Sequence, residues 1–210
     1  MSNNAQKDSP RNLFIAALLT FIFTISATYC ANIWQERSQV KTDLRNKRFQ
    51  VFTELVGSRI PLTQVAMSFQ ESRIFHQYHQ AKWLLTHDKL NLEEAKRLVQ
   101  RSETLNSDLG KERRRLYELV ASIFVLFPEL SEQELLSSRL SQIGILAPPP
   151  DPKDIRTLSG LEAWRGQQIQ LANDHIESEF GKPIGQLMDH IAPIIRKESL
   201  ILQSQLDLNR

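Results

Sequence analysis

The chain has 210 residues, with 26 Lys and Arg against 24 Asp and Glu, which gives a formal net charge of +2. Apolar residues make up 41%, with only 7 Gly and 9 Pro, a composition that excludes disordered, collagen-like and disulfide-rich proteins. The near-neutral charge argues against a nucleic-acid partner, and the single cysteine, Cys30, excludes an intramolecular disulfide.

The first predicted element is a transmembrane helix over residues 13–34, preceded by an N-terminal tail of residues 1–12. Residues 12–35, 24 in all, carry no charge, and a helix of about 20 apolar residues spans a bilayer. Tyr29 and Trp34 are expected to anchor the helix at the membrane interface, which amphipathic rings favour. The alternative is a cleaved signal peptide, whose apolar stretch is usually shorter, about 7–15 residues.

Small or polar residues recur every four positions in this span and form one stripe along the helix. Small residues permit close approach of a second helix, so the stripe predicts packing between membrane helices. Alternatively, the threonine hydroxyls bond to carbonyls of their own helix. The stripe consists of Ala16, Thr20, Thr24, Thr28 and Asn32.

The basic residues around the span indicate its orientation. Lys and Arg close to a span tend to stay in the cytoplasm, and five follow the span while two precede it. We therefore expect the large domain to be cytoplasmic. The five are Arg37, Lys41, Arg45, Lys47 and Arg48, and the two are Lys7 and Arg11.

Residues 35–146 are predicted to form a juxtamembrane helical bundle. The membrane helix is expected to continue to about Val56, where Gly57 and Ser58 break it. Pro61 suits the first turn of the next helix, because its missing N–H and fixed φ are tolerated there.

Three capping patterns, each a capping residue followed by Glu three positions later, predict the starts of further helices. They are Asn91 with Glu94, Ser131 with Glu134 and Ser159 with Glu162. Gly110 is a potential interruption of the first of these helices, and Pro128 is expected to end it. The second helix is expected to be short and to stop near Gly144.

Residues 147–158 contain four prolines and are predicted to form a stiff, extended connector. Residues 159–210 form a C-terminal helical pair, punctuated at Gly181 and Pro183 and kinked at Pro193. Two helices alone bury little surface, so we expect the pair to dock on the bundle, with Trp164 and Phe180 in a shared core. The predicted fold is all-α: a transmembrane helix continuing into an antiparallel helical bundle.

No catalytic motif and no cofactor site emerge from the sequence. Gly181–Gly185 lacks the glycine spacing of a phosphate-binding loop. His76, His79 and His175 are candidate metal ligands, but the paired Glu-x-x-His pattern of metal-binding bundles is missing. Histidines on a wet surface or at a core border are the alternative.

Two groups of basic residues are candidate contacts for anionic lipid or an acidic partner: Arg45, Lys47 and Arg48 after the span, and Arg113, Arg114 and Arg115 further along the chain. A solvated helix face is the alternative for the second group, because polybasic lipid sites usually carry less balanced charge.

These patterns predict a non-enzymatic, single-pass membrane protein whose helical domain binds other proteins or itself, with the lipid bilayer as its other partner. The layout also resembles that of membrane-anchored helical sensor domains, in architecture alone. The alternative is therefore a membrane sensor or effector whose span responds to a ligand or partner. A metal-dependent hydrolase is the third hypothesis.

Overall fold

A computed structural model describes the backbone of residues 10–130 and 146–207 and the side chains of residues 23–130 and 146–200. The chain divides into two compact units, Met1–Asn46 and Lys47–Arg210. Within the described ranges every regular element is helical and no residue belongs to a β-strand. The predicted all-α fold class and helical bundle are confirmed.

The helices of the described residues are long. They are α1 (Pro10–Thr86), α2 (Lys89–Leu126), α3 (Leu158–Ile176) and α4 (Lys182–Asp207), and a π-helical turn, Glu177–Gly181, joins α3 to α4. Gly181 and Pro183 therefore mark the junction between two helices without ending helical structure, and Pro193 lies inside α4.

The predicted helix break at Gly57 and Ser58 is wrong, since α1 passes through both residues and includes Pro61. A proline inside a helix costs about 3 kcal/mol, because it removes a donor and crowds the preceding turn. Leu55 and Leu62, on either side, are completely buried. Burying two such side chains contributes a comparable amount, about 1.5–3 kcal/mol each, and holds the helix together.

Two of the predicted N-caps are also wrong. The carboxylate of Asp88 caps α2, accepting a hydrogen bond from the backbone N–H of Leu90 at 3.0 Å, while Asn91 lies inside the helix. The hydroxyl of Thr157 caps α3, accepting from the N–H of Gly160 at 3.1 Å, two residues before the predicted Ser159. Asp88 and Thr157 both have the extended backbone that an N-cap needs.

The remaining helix boundaries follow the sequence more closely. Gly110 does not interrupt α2, and Pro128 follows its end as predicted. The predicted short helix from Ser131 to Gly144 lies outside the described residues. Leu146 to Asp151 is non-helical, as expected for the proline-rich connector.

Contacts between α1 and α2 show that the two helices are antiparallel. The Ser72 hydroxyl donates to the carbonyl of Leu98 at 2.9 Å, the ring of His76 bonds the carbonyl of Ala95 at 3.0 Å, and Arg48 reaches the carbonyl of Leu126. As the residue number rises along α1, that of its partner on α2 falls.

The α3–α4 pair also runs antiparallel to α1. Tyr78 near the end of α1 bonds Glu162 near the start of α3, Arg59 pairs with Glu177 at 3.3 Å, and Arg48 bonds Glu198 in α4. Therefore α2 and α3 point in the same direction. The first part of the connector lies beside α1, close to Gln70 and Gln77.

One hydrophobic core joins all these elements. From the N-terminal side it takes Leu55, Leu62, Ala66, Leu109, Leu116, Ile123 and Phe127, and from the C-terminal side Leu146, Ile176, Phe180, Ile184, Leu187, Ile191 and Ile195. Phe180 is completely buried in it, whereas Trp164 is half-buried and is not one of its members, contrary to the prediction for that residue.

Across the residues that the structure describes, no helix contains a stretch that is both long and apolar enough to span a bilayer. The predicted span covers residues 13–34, and the side chains of residues 13–22 lie outside the described set.

Candidate functional site

The N-terminal unit leaves large apolar side chains uncovered. Six described residues form what we call the N-terminal apolar surface: Phe23, Ile25, Tyr29, Trp34, Val40 and Leu44. Phe23 is 81% exposed and Trp34 75% exposed. Single exposed apolar residues are common on proteins, and here six occur within 22 residues of one helix.

The four-residue stripe of the predicted span is only partly described. The side chains of Ala16 and Thr20 lie outside the described residues, and Thr24, Thr28 and Asn32 are exposed. The Thr28 hydroxyl donates to the carbonyl of Thr24 at 2.8 Å, which is the bond to its own helix that the alternative interpretation expects.

Arg48, predicted as a lipid or partner contact, is 6% exposed and bonds other parts of the domain. Its Nε donates to the carbonyl of Leu126 at 2.6 Å, and its terminal nitrogens bond Glu129 at 2.9 Å and Glu198 at 2.5 Å. The guanidinium also lies over the ring of Phe127, 5.2 Å from its centre. Arg48 therefore ties α1 to the end of α2 and to α4, and its charge does not face solvent.

The other predicted basic contacts lie nearer the surface. Lys47, Arg114 and Arg115 are exposed, and Arg45 and Arg113 are half-buried. Lys47 and Arg115 line one groove between α1 and α2 together with Glu54 and Glu118, so that both signs of charge occur side by side. Mixed charge of this kind is typical of a solvated helix face.

The histidine candidates for a metal site are dispersed. His76 and His79 turn their Nδ1 atoms toward α2, where they bond Ala95 and Asn91 at 3.0 and 3.1 Å, and His175 is exposed on α3. Among the described residues, no group of three or more His, Cys, Asp or Glu side chains is arranged to hold a metal ion. His76 and His79 lock the α1–α2 pair.

A polar cluster around Tyr78 was not foreseen from the sequence. The hydroxyl of Tyr78 bonds the carboxylate of Glu162 and accepts from Nζ of Lys82 at 3.4 Å, while the guanidinium of Arg165 lies 4.8 Å from the centre of its ring. Burial, followed by the hydrogen bond to Glu162, raises the pKa of Tyr78 above its ordinary value. The cluster fastens the start of α3 to the end of α1.

The connector is held to α1 by three side chains along one face of that helix. Gln70 donates to the carbonyl of Ala147 at 2.9 Å, Arg73 to that of Leu146 at 3.1 Å and Gln77 to that of Pro149 at 3.0 Å. Burial lowers the pKa of Arg73 below its ordinary value. These side-chain donors from α1 satisfy the carbonyls of Leu146, Ala147 and Pro149.

A groove of about 180 Å³ lies beside the connector, bounded by α1 and α3. Its walls are mostly apolar, from Ile74, Leu171, Ala172 and the run Pro148 to Pro150. The polar groups that line it are Gln70, Gln168 and His175. The spacing of these residues in the sequence does not predict that they lie together.

Comparison with known proteins gives no match: no family model, no curated protein and no solved structure is significantly similar to the chain.

Proposed function

We propose that this protein is a single-pass membrane-anchored scaffold, whose helical domain acts by contacts with other proteins or with a second copy of itself. The observation that carries the proposal is the N-terminal apolar surface. Four of its six residues lie on the described part of a segment of 24 uncharged residues, where exposed side chains such as Phe23 and Trp34 have no partner in the described chain. Lipid or another helix would remove them from water, at about 25 cal/mol per Å² of apolar area.

The polar groups of the Lys47–Arg210 unit fit a structural role. Arg48, His76, Gln70 and Tyr78 all bond across helices or to the connector. Buried polar groups that are satisfied in this way specify one packing arrangement and are generally costly to disturb. A domain of this kind would be a rigid platform for contacts with other proteins, held at the membrane by the proposed N-terminal anchor.

Cysteine crosslinking in membranes tests the self-association part of the proposal. Along a helix, Thr28 and Cys30 are about 200° apart, so they lie on nearly opposite faces. If copies pack through the Thr24 and Thr28 stripe, the Thr28→Cys variant in a Cys30→Ser background should form a disulfide dimer on mild oxidation. The native Cys30, exposed in this structure, should give far less dimer.

The matched control is Cys30→Ser alone, which should give no dimer. Equal crosslinking at positions 28 and 30 would indicate random collision in the membrane, and absence of crosslinks at both positions would contradict packing through the stripe. Crosslinking to a different protein at position 28 would support a scaffold for other partners.

A membrane sensor or effector is the second candidate. It is favoured by one observation: residues of the predicted span and residues of the hydrophobic core, such as Leu55 and Leu62, belong to the same helix, α1. A ligand that changes the packing around the core could then change α1 itself. Crosslinking at position 28 that responds to a ligand would favour this candidate over a constitutive scaffold.

A further inference from the structure

We infer that one face of α1, between Gln35 and Ile60, pairs with the same face of a second copy of this chain in a parallel, two-stranded coiled coil. The inference deepens the self-association part of the proposed function, because it names the partner and the surface that the partner covers. It rests on the proposed anchor only for the parallel orientation, since helices that leave one membrane on the same side point the same way.

The face is defined by a seven-residue repeat of uncharged side chains. Residues at alternating intervals of four and three, the a and d positions of a heptad, form the line along which two helices of a coiled coil meet. We call the eight residues at this spacing the α1 seam: Gln35, Gln39, Thr42, Asn46, Phe49, Thr53, Val56 and Ile60. All eight belong to one helix, α1.

Charge is excluded from the α1 seam although the segment around it is highly charged. Residues 35–60 include nine charged residues, and every one lies outside the seam: Glu36, Arg37, Lys41, Asp43, Arg45, Lys47, Arg48, Glu54 and Arg59. A helix face that meets only water gains nothing from such an exclusion. Charged residues are depleted at the centre of protein interfaces, so the pattern indicates a face that meets another helix.

The seam is uncovered in the single chain. All eight side chains are exposed, and the three large apolar ones, Phe49, Val56 and Ile60, are 58%, 41% and 62% exposed. Leu55 and Ser58, on the opposite side of α1, are 0% and 2% exposed, because that side of the helix packs into its own domain. The helix can therefore contact its own domain and a second helix at the same time.

The order of side chains along the seam makes it complementary to itself. Its first four residues are polar, whereas three of its last four are apolar. In a parallel pair in register each residue meets its own counterpart, so Phe49, Val56 and Ile60 bury apolar surface against one another. Pairing along the whole seam in the opposite direction would place amides against these apolar side chains, which is unfavourable.

Asn46 supports two helices in this register. A primary amide has two donors and an acceptor, so the Asn46 side chains of two copies can hydrogen-bond each other across the seam. An asparagine at an a position specifies the register and the number of helices of a coiled coil, at a cost in stability. The dimer should therefore be weak in dilute solution, and confinement of both copies to one membrane raises their effective concentration.

The residues beside the seam are compatible with the same pairing. In a parallel coiled coil, each g residue faces the e residue that lies five positions further along the partner helix. The pairs that follow from the sequence are Ser38 with Asp43, Arg45 with Gln50 and Phe52 with Gly57. None of these pairs brings two like charges together, so electrostatic repulsion does not oppose the dimer.

The interface is large enough for a specific dimer. The eight seam residues and the eight e and g residues between positions 35 and 60 give 16 residues per copy. At about 30–40 Å² per residue, the average of standard interfaces, they would bury about 1,000–1,300 Å² over both copies. A biological interface needs about 1,000 Å². The estimate fits a weak but specific contact.

Cysteine crosslinking of the full-length chain in membranes tests the inference. With helix axes about 10 Å apart and a Cα radius of about 2.3 Å, Cα atoms of facing d residues lie about 5–6 Å apart, within reach of a disulfide. In a Cys30→Ser background, Thr42→Cys and Phe49→Cys should form at least about fivefold more disulfide dimer on mild oxidation than Leu44→Cys and Lys47→Cys. These two controls are exposed and lie two residues from a seam position, about 200° around the helix.

A matched pair of valines tests whether the seam itself holds the dimer. Val56 lies in the seam, whereas Val40 lies beside it, and both are exposed on α1. Val56→Glu places two carboxylates face to face and should lower the dimer yield of Thr42→Cys at least about tenfold, because facing like charges cost several kcal/mol. Val40→Glu should leave the yield within about twofold. Circular dichroism of both variants checks that the helical domain is intact.

Equal dimer yields at seam and control positions, or an unchanged yield in Val56→Glu, would overturn the coiled coil. Thr28 lies one heptad before Gln35, so its crosslinking can be compared directly. A dimer through Thr28→Cys with none through Thr42→Cys or Phe49→Cys would also overturn the coiled coil, while the proposed packing within the predicted span would stand. Dimers through Thr42→Cys and Phe49→Cys with none through Thr28→Cys would support the coiled coil and contradict packing within the span.

Discussion

Replacing Arg48 with Ala should destabilise the domain more than removing any exposed arginine. The change takes away the donors to the carbonyl of Leu126 and to Glu198 and leaves that carboxylate without its cation. The side chain of Glu198 is 21% exposed, and its second oxygen, Oε2, has no hydrogen-bond partner among the described residues. Breaking a buried ion pair costs about 3–5 kcal/mol. Because Glu198 retains some access to water, we expect the lower end, about 3 kcal/mol.

The third partner of Arg48 adds little to this figure. The Glu129 side chain is half-exposed, and ion pairs that face water contribute about 0–1 kcal/mol. For a chain of this size, a loss of about 3 kcal/mol lowers the Tm by about 6–12 °C. Thermal and urea unfolding followed by circular dichroism would measure both quantities, with the exposed Arg114→Ala as the control, expected within about 0.5 kcal/mol of the unmodified protein.

A second variant separates the ion pair from the packing around it. Replacing both charges, Arg48→Met with Glu198→Leu, should cost clearly less than Arg48→Ala alone, because no charge is then left unpaired in a nearly buried site. If Arg48→Ala lowered the free energy of unfolding by less than about 1 kcal/mol, the interpretation of this residue as the link between α1, α2 and α4 would be refuted.

The remaining predictions concern a cap, the core and the tyrosine cluster. Asp88→Ala should cost about 1 kcal/mol in urea unfolding, because it removes the N-cap of α2; a neutral result would contradict the assignment of the cap. Phe180→Ala should lower the free energy of unfolding by about 3–5 kcal/mol, since Phe180 is completely buried. Trp164→Ala should lower it by less, since Trp164 is only half-buried. A larger loss for Trp164→Ala than for Phe180→Ala would contradict the assignment of Phe180, and not Trp164, to the shared core. The raised pKa of Tyr78 favours its neutral form in the folded state, so its contribution to stability is complete below the ordinary pKa of 10.0 and is lost as the pH rises through the higher folded value. Tyr78→Phe should therefore lose less stability between pH 9 and pH 12 than the unmodified protein, and an identical alkaline loss would contradict this account.

The sequence predicts the helical class and most apolar positions, because burial on one helix face leaves a periodic pattern. It fails where long-range packing outweighs a local signal. Gly57 and Pro61 are local helix breakers, yet Leu55 and Leu62 keep α1 intact through contacts that no short window of sequence contains. The proline run, in contrast, restricts its own backbone, and the prediction that this run is not helical is confirmed.

Capping patterns fail for a related reason. Asn91 and Ser159 match the pattern of a cap followed by Glu, but Asp88 and Thr157 are equally good capping residues a few positions earlier. Which of these residues caps the helix depends on where the backbone leaves the preceding turn. Asn91 is needed inside α2, where its side chain oxygen bonds the ring of His79.

Sites built from distant parts of the chain were the least predictable. Arg48 was grouped with neighbouring basic residues by charge alone, whereas its partner Glu198 is 150 positions away. The groove at Gln168 likewise depends on the connector lying beside α1, which places Pro148 to Pro150 near α3. The types of these residues and their spacing in the sequence predict neither the Arg48–Glu198 ion pair nor the groove.

Fractionation of cells that produce the full-length chain tests the proposed membrane anchor most directly. The account predicts that the protein remains in the membrane pellet after washes with high salt and alkaline carbonate, and that its N-terminus still precedes residue 13. A variant lacking residues 1–34 should be released with an unchanged helical circular dichroism spectrum. Recovery of the full-length protein in the soluble fraction, or of a mature chain that begins after Ala31, would contradict the account.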